Sequence, residues 1–320
     1  MDLPANPFKH AIKAGRQQIG LWSSLSSHLT VEILAGSGYD WLLLDTEHSP
    51  NELPMVHSQL QAATGGTAHP IVRPPWNDTV MIKRFLDIGT QTLLIPYVQT
   101  EEEAQKAVAA TRYPPKGVRG FASASRASRF GRVKDYFKRY EEELCVLVQV
   151  ETRLSLDNLE AIANVEGVDG VFIGPGDLSA GLGHLNDAAH PEVQSAIADT
   201  IKRIKACGKA AGILTPDEKQ ARRYIELGTV FTAVGSDLGL LARGSEALLA
   251  RFDDQPAIFD PSILRTACRV VLRLPVANEA DFIGPAPRVR RARLVEFIGP
   301  DQLPTLRPAR HSQGRQQQGG

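Results

Sequence analysis

Side chains that can carry out chemistry stand directly after several short apolar segments of this sequence. Taken singly, most have an ordinary structural explanation: a lone aspartate in a turn is usually a helix cap, and a lone arginine usually pairs with an acid. Glu151 resists such an explanation, because it follows the apolar run VLVQV and a buried carboxylate needs a partner. The other residues in this position are Asp45, Glu47, His48, Arg73, Gln149, Gly176, Asp177, Ser179, Ser236 and Asp237.

The carboxylates of Glu151 and Asp177 offer the oxygen ligands that hard divalent cations such as Mg²⁺ and Mn²⁺ prefer. Two protein ligands leave coordination positions for a 2-keto acid, which chelates through its carboxylate and keto oxygens. The cation then polarises the carbonyl and lowers the cost of forming an enolate. The turn GPG, residues 174–176, presents backbone N–H groups suited to a substrate carboxylate. These residues predict metal-assisted chemistry on a keto acid.

By the same reasoning, His48 is the candidate for proton transfer and Arg73 is the candidate for charge stabilisation. Imidazole has a pKa near ~6.5, so His48 is the natural proton acceptor, and Asp45 and Asp87 are the two candidates for the carboxylate that orients it. Arg73 brings a planar cation that fits carboxylate and enolate oxygens. A Schiff-base aldolase would need a lysine in the same place, and no lysine ends an apolar segment. The pattern favours a metal over an imine.

Eight short apolar segments alternate with amphipathic helical patterns over about 235 residues, which predicts βαβ units and a parallel sheet. The count matches a single (β/α)₈ TIM barrel. An open doubly wound sheet is the alternative, but the glycine-rich phosphate loops expected of it are missing. In a barrel the active site lies at the carboxyl ends of the strands, so the polar residues above would share one rim. The eight segments are residues 20–25, 41–45, 70–74, 92–98, 145–151, 168–174, 209–214 and 231–237.

All eight segments fall within residues 1–252, which we predict to be the barrel domain. Segment 253–320 has a different composition. From residue 256 onward it contains 10 arginines, no lysine and 5 acidic residues, in a chain whose formal net charge is zero. Its scattered prolines and polar end predict a largely disordered basic tail, with room for one short helix at 262–274.

The overall composition indicates which partners and which cellular compartment to expect. A net charge of zero gives no general attraction to nucleic acid or to a membrane, so neither is an expected partner. The three cysteines, Cys145, Cys207 and Cys268, are far apart and form no C-x-x-C pair, which argues against a disulfide framework or a zinc knuckle. No secretion signal and no apolar run of membrane-spanning length stands out. We therefore expect a cytoplasmic protein.

The same motifs resemble the HpcH/HpaI aldolase family over roughly residues 7–252. The matching pieces include IGLWSSL, LLLDTEHSP, VRPPWND, TRYPPKGVRG, VLVQVET and GVDGVFIGPGDLS. The resemblance implies an aldolase that cleaves a 4-hydroxy-2-oxo acid, such as 4-hydroxy-2-oxoheptanedioate or a 2-keto-3-deoxy sugar acid, to pyruvate and an aldehyde. It also implies a divalent metal cofactor, Mg²⁺, Mn²⁺ or Co²⁺. A homo-oligomer is expected, because members form hexamers that exchange their last helix.

The resemblance also implies a role for individual residues. His48 would be the proton acceptor, Arg73 would stabilise the enolate, and Asp87 would raise the basicity of the histidine. The choice of Asp87 over Asp45 for this role is implied by the resemblance alone. One departure from the family pattern is a glycine at position 176, where the family has alanine. The implied metal ligands and substrate contacts are Glu151 and Asp177 for the metal, and Gln149, Gly176 and Asp177 for the substrate.

Two other functions compete with the aldolase. A non-catalytic barrel that serves as a binding or scaffold protein is disfavoured, because every expected catalytic position is filled. A related lyase acting on a CoA thioester would need additional basic residues for the nucleotide phosphates, and no such cluster stands near the strand ends.

Overall fold

The computed structural model describes residues 1–252. Over this range eight parallel strands close into a barrel in which each strand pairs with its neighbours in sequence, and β1 pairs with β8. The predicted (β/α)₈ barrel is confirmed. The predicted tail at 253–320, including a helix at 262–274, lies outside the described residues. The strands are β1 Gln18–Ser23, β2 Trp41–Asp45, β3 His69–Arg73, β4 Thr92–Ile95, β5 Cys145–Val150, β6 Gly170–Ile173, β7 Ala210–Leu214 and β8 Phe231–Ser236.

Helices connect the strands and form the outer layer. α1 precedes the barrel, and the others follow successive strands, with α6 in the long segment between β4 and β5. None of the helices within residues 1–252 is long and apolar enough to cross a membrane. The helices are α1 Pro7–Lys13, α2 His28–Ala35, α3 Leu53–Ala62, α4 Thr79–Asp87, α5 Glu101–Thr111, α6 Tyr136–Glu143, α7 Arg153–Asp157, α8 Leu159–Asn164, α9 Pro175–Gly181, α10 Pro191–Ala206, α11 Glu218–Leu227 and α12 Asp237–Leu249.

Successive side chains of each strand point alternately into the barrel and toward the helices, so the core has two parts. In β2, Trp41 and Leu43 point into the barrel, whereas Leu42 and Leu44 pack against the helices. Phe8 of α1 packs inside with the inward-facing residues: its ring stacks on His69, with centroids 5.9 Å apart. Buried aromatic and aliphatic side chains thus fill the interior, and the active site of a barrel of this kind lies at the carboxyl ends of its strands.

Some strand boundaries differ from the sequence prediction. β1 begins two residues earlier than expected, and β4 ends at Ile95 rather than continuing to Val98. Pro96 follows immediately and has no N–H to donate to a ladder. Tyr97 then adopts a left-handed backbone with φ of 55°, which an extended strand does not accommodate. The chain therefore turns at this point and brings the Tyr97 N–H toward β5.

Candidate active site

Asp45 and Arg73 form a buried ion pair at the carboxyl ends of β2 and β3. The two residues stand opposite each other in the strand register. Arg73 donates from Nε to one carboxylate oxygen at 2.8 Å and from Nη2 to the other at 2.7 Å. Burial raises the pKa of Asp45, but the hydrogen bonds and charge of Arg73 outweigh this and hold that pKa below its usual value. The guanidinium also lies over the Trp22 ring, 5.1 Å from its centroid, so Arg73 is held on two sides.

Glu47 lies on the remaining side of Arg73. Its Oε2 is 2.8 Å from Nη1 of Arg73, and its side chain is 13% exposed. Burial raises the pKa of Glu47 to about 7; the charge of Arg73 opposes this effect, and the charges of Asp45 and Asp177 add to it. The sequence placed Glu47 at the barrel rim but assigned it no role. Its position between Asp45 and His48 in the DTEH motif was the available signal.

His48 is the most exposed member of this group, with 64% of its side chain accessible. Its Nε2 lies 3.9 Å from Oε2 of Glu47. Asp45, one candidate to orient it, has both carboxylate oxygens bonded to Arg73 instead. The structure therefore places His48 at the mouth of the barrel with Glu47, not Asp45, as its neighbouring carboxylate.

Asp87 lies elsewhere in the same chain. It is the last residue of α4, a helix that starts beyond the carboxyl end of β3 and leads to the amino end of β4. Its carboxylate accepts a hydrogen bond of 3.0 Å from the buried Arg119. Asp87 is therefore at the opposite end of the barrel from His48, and one chain does not bring the two together.

Glu151 is buried directly after β5, with 1% of its surface exposed. Its Oε1 accepts a hydrogen bond of 2.8 Å from the backbone N–H of Tyr97, and its Oε2 accepts one from the side-chain amide of Gln149. Burial raises the pKa of Glu151 to about 7; the Gln149 amide opposes the shift, and the charges of Asp177 and Glu47 increase it. The three carboxylates thus repel one another within one region of the mouth.

The turn after β6 is shaped around Glu151. A Cβ at Gly174 would lie 2.5 Å from Oε2 of Glu151, so only glycine leaves room for this carboxylate. Gly176 differs, because a Cβ there would meet nothing within 4 Å. The glycine that replaces the expected alanine therefore leaves the site geometry unchanged. Asp177 stands in the first turn of α9, where it is exposed to solvent.

The residues at the mouth fit a hard divalent cation. Glu151 and Asp177 supply carboxylate oxygens, the donors that Mg²⁺ and Mn²⁺ prefer. Burial is the main cause of the raised pKa values of Glu47 and Glu151, and a cation here would offset both this cost and the added repulsion between the carboxylates. Oε1 of Gln149 is buried and has no hydrogen-bond partner among the described residues, so it offers one more oxygen toward the same region.

Three of the rim residues have structural roles. Asp237 accepts hydrogen bonds from the Ser23 hydroxyl at 3.0 Å and from the backbone N–H of Ser24 at 2.8 Å. Ser236 caps α12 by accepting from the Gly239 N–H. Ser179 donates to the carbonyl of Gly176 at 2.7 Å. Ser236 is therefore the cap of α12, whereas the Asp237 carboxylate joins the start of this helix to the end of β1.

Comparisons with known proteins point to one family. A model of the HpcH/HpaI aldolase/citrate lyase family matches residues 18–244. A pyruvate aldolase from Rhizobium etli is 61% identical over 252 residues, which cover 79% of this chain and 99% of that protein. A 4-hydroxy-2-oxo-heptane-1,7-dioate aldolase from Klebsiella pneumoniae is 59% identical over 248 residues, covering 77% and 94%.

A solved structure agrees with these relatives. An HpcH/HpaI aldolase/citrate lyase family protein from Burkholderia cenocepacia superposes with a TM-score of 0.75 at 39% identity, covering 77% of this chain and 99% of that one. The match to the family model, residues 18–244, contains every strand of the barrel and every residue of the mouth described above. The chain therefore belongs to the HpcH/HpaI aldolase/citrate lyase family.

Proposed function

We propose that this protein is a divalent-metal-dependent aldolase that cleaves a 4-hydroxy-2-oxo acid into pyruvate and an aldehyde. The observation that carries the proposal is the grouping of Glu47 and Glu151 near Arg73, where burial, and to a lesser extent the charge of Asp177, raises the pKa of both glutamates. Such a cluster is suited to binding a cation and an anionic substrate together. The names of the Rhizobium etli and Klebsiella pneumoniae relatives support the same substrate class.

Glu151 and Asp177 would hold the metal, and Gln149 and Gly176 would contact the keto acid beside it. A bound Mg²⁺, Mn²⁺ or Co²⁺ ion polarises the keto group and lowers the cost of the enolate. Tyr97 and Gln149 fix the Glu151 carboxylate through its two oxygens. This fixed orientation matters because a displaced ligand would weaken both metal and substrate binding.

In the cleavage direction His48 accepts the proton of the 4-hydroxyl group. The bond between the third and fourth carbons breaks, its electron pair passes into the enolate, and the fourth carbon becomes the aldehyde carbonyl. Arg73 stabilises the negative oxygen of the enolate. The third carbon then takes the proton that His48 accepted, and pyruvate leaves. The reaction needs no oxidant or reductant, because one bond is broken and one proton is moved.

Asp87 would contribute to this chemistry only in an oligomer. Within one chain it is bonded to Arg119 at the far end of the barrel. Its implied effect on the basicity of His48 therefore requires the Asp87 of a second copy to approach the mouth. This requirement favours the expected homo-oligomer. The free thiols of Cys145 and Cys207 suit the reducing cytoplasm in which we place the enzyme.

The proposal is tested by Glu151→Gln and Asp177→Asn, with pyruvate release from 4-hydroxy-2-oxoheptanedioate as the assay and calorimetry as the measure of Mg²⁺ or Mn²⁺ binding. Both variants should lose metal affinity and activity together. Glu226→Gln, which changes an exposed glutamate of α11, is the matched control and should behave as the parent does. A parent chain that binds the metal but releases no pyruvate from any hydroxy-keto acid would instead support the non-catalytic barrel.

A further inference from the structure

A second group of metal-ligating side chains lies outside the mouth described above. His184 and His190 belong to the segment between α9 and α10, and Glu192 stands in the first turn of α10. One ligand atom from each residue can be chosen so that all three lie within 4.8 Å of one another. Nε2 of His184 is 2.9 Å from Oε2 of Glu192. We propose that these three residues form a separate binding site for a Zn²⁺-type cation.

The donor set distinguishes this site from the pair Glu151 and Asp177. Two imidazole nitrogens and one carboxylate oxygen form the ligand set typical of Zn²⁺ and related transition metals, whereas Mg²⁺ prefers oxygen ligands alone. Three protein ligands leave the fourth position of a tetrahedron open for water. The two sites therefore select different classes of cation, and each can be measured in the presence of the other.

The imidazole rings are close but not yet arranged around a common point. The rings of His184 and His190 stack with centroids 3.5 Å apart and an interplanar angle of 16°. A cation coordinated by both must lie in the plane of each ring, so one ring has to turn about its Cβ–Cγ bond. This torsion is broad and its rotation costs little. Glu192 needs only a small shift, since its Oε2 already lies beside the His184 nitrogen.

Metal binding would replace weaker interactions that the three residues now make. Nδ1 of His190 accepts a long hydrogen bond of 3.3 Å from the N–H of Glu192 and so caps α10. Arg153 approaches the other carboxylate oxygen of Glu192 at 3.9 Å, with both side chains more than half exposed. An exposed ion pair of this kind contributes little. A divalent cation would bind Glu192 more strongly than Arg153 does, and it would displace any proton shared with His184.

The site would join two parts of the barrel rim. His184 follows α9, which carries Asp177, and Glu192 begins the helix that leads to β7. A cation held by both ends would tie segment 182–190 to α10 in the folded state. Because the unfolded chain does not present the ligands together, metal binding should raise the melting temperature.

The test uses the full chain after metal removal. Zn²⁺ is titrated against a chromophoric chelator, and melting temperature is measured with Zn²⁺ or Mg²⁺ alone. We expect the parent to bind one more equivalent of Zn²⁺ than His184→Ala, and Zn²⁺ to raise the melting temperature of the parent more than that of the variant. Glu192→Gln keeps the His190 cap and should lose the same equivalent. Mg²⁺ should not distinguish the parent from either variant.

Two further variants make the result decisive. His28→Ala removes an exposed histidine from α2 and should retain the parent's Zn²⁺ stoichiometry. His184→Cys supplies a thiolate, another good zinc ligand, and should restore the lost equivalent. Equal Zn²⁺ stoichiometry in the parent, His184→Ala and Glu192→Gln would overturn the proposal. Because the comparison counts zinc rather than pyruvate, its outcome is independent of whether the aldolase assignment holds.

Discussion

Asp45 and Arg73 stand opposite each other in the β2–β3 register, and two hydrogen bonds of 2.8 and 2.7 Å join their nearly inaccessible side chains. This pair determines how the rest of the mouth is arranged. It leaves Nη1 of Arg73 directed at Glu47, and it occupies the carboxylate that would otherwise be available to orient His48. Arg73 is therefore a fixed cation whose orientation does not depend on substrate.

Removing one partner of this pair should destabilise the fold. Asp45→Ala removes both hydrogen bonds of the buried Arg73 side chain to Asp45 and leaves Glu47 as its neighbouring carboxylate, so the cost should approach the value of about 3–5 kcal/mol of unfolding free energy that is typical of a broken buried pair. Urea denaturation measures the change. Asp135→Ala, which breaks the exposed pair with Arg139, is the control and should cost no more than about 1 kcal/mol. Equal losses of unfolding free energy in the two variants would show that the buried pair stabilises the fold no more than the exposed pair does.

Replacing Arg73 with lysine should damage catalysis. Lysine keeps the charge but cannot donate to both Asp45 oxygens from two nitrogens while a third lies beside Glu47, and it cannot fix a planar group toward the enolate. Loss of one such oxyanion donor lowers turnover by about 10²–10³-fold. Steady-state pyruvate release measures the effect, with Arg139→Lys as the surface control. Turnover within a factor of a few of the parent would remove Arg73 from the chemistry.

His48→Ala should lower turnover without loss of metal binding. General acid–base assistance typically contributes about 10²–10⁴-fold, and His48 is not among the proposed metal ligands. Calorimetry of Mg²⁺ or Mn²⁺ binding and the rate of pyruvate release separate the two properties, and His28→Ala controls for the loss of an exposed imidazole. If His48→Ala turns over at nearly the parental rate, another group accepts the proton.

Glu47 should make the stability of the metal-free protein depend on pH. Its pKa is raised to about 7 in the folded state, against about 4.3 for an ordinary glutamate. Between these values the folded state binds more protons than the unfolded state, so the Glu47 contribution is complete below the lower value and is lost as the pH rises through the upper one. In EDTA, the urea midpoint of the parent should therefore fall relative to that of Glu47→Gln as the pH rises from the lower to the upper of these pKa values. A constant difference between parent and variant would contradict the raised pKa.

The sequence predicted the barrel and most of its rim because these depend on local patterns. Five of the eight apolar runs ended in polar groups, and parallel strands bring such ends to one edge. Glu47 was visible in the DTEH motif, but its contact with Arg73 depends on the path of the loop after β2. The grouping of His184 with His190 escaped notice because that segment has no periodicity.

Asp87 illustrates a different limit. Its position at the end of α4 follows from the helical pattern TVMIKRFLD, and the direction of α4 places it at the amino ends of the strands. The residues left Asp45 and Asp87 open as the partner of His48, and the choice of Asp87 came only from the resemblance to relatives. Within one chain, Asp87 is bonded to Arg119. A contact between Asp87 and a second copy could not be predicted, because the pattern of a single strand or helix does not encode contacts between copies.

The most direct test of the account is the dependence of carbon–carbon bond cleavage on a divalent metal. The protein is stripped with EDTA, and pyruvate release from 4-hydroxy-2-oxoheptanedioate is followed before and after adding back Mg²⁺, Mn²⁺ or Co²⁺. The account predicts no cleavage in the stripped protein and recovery when the metal is restored, with no recovery in Glu151→Gln. Full activity in the metal-free protein, or a pyruvate adduct trapped on a lysine by borohydride, would contradict it.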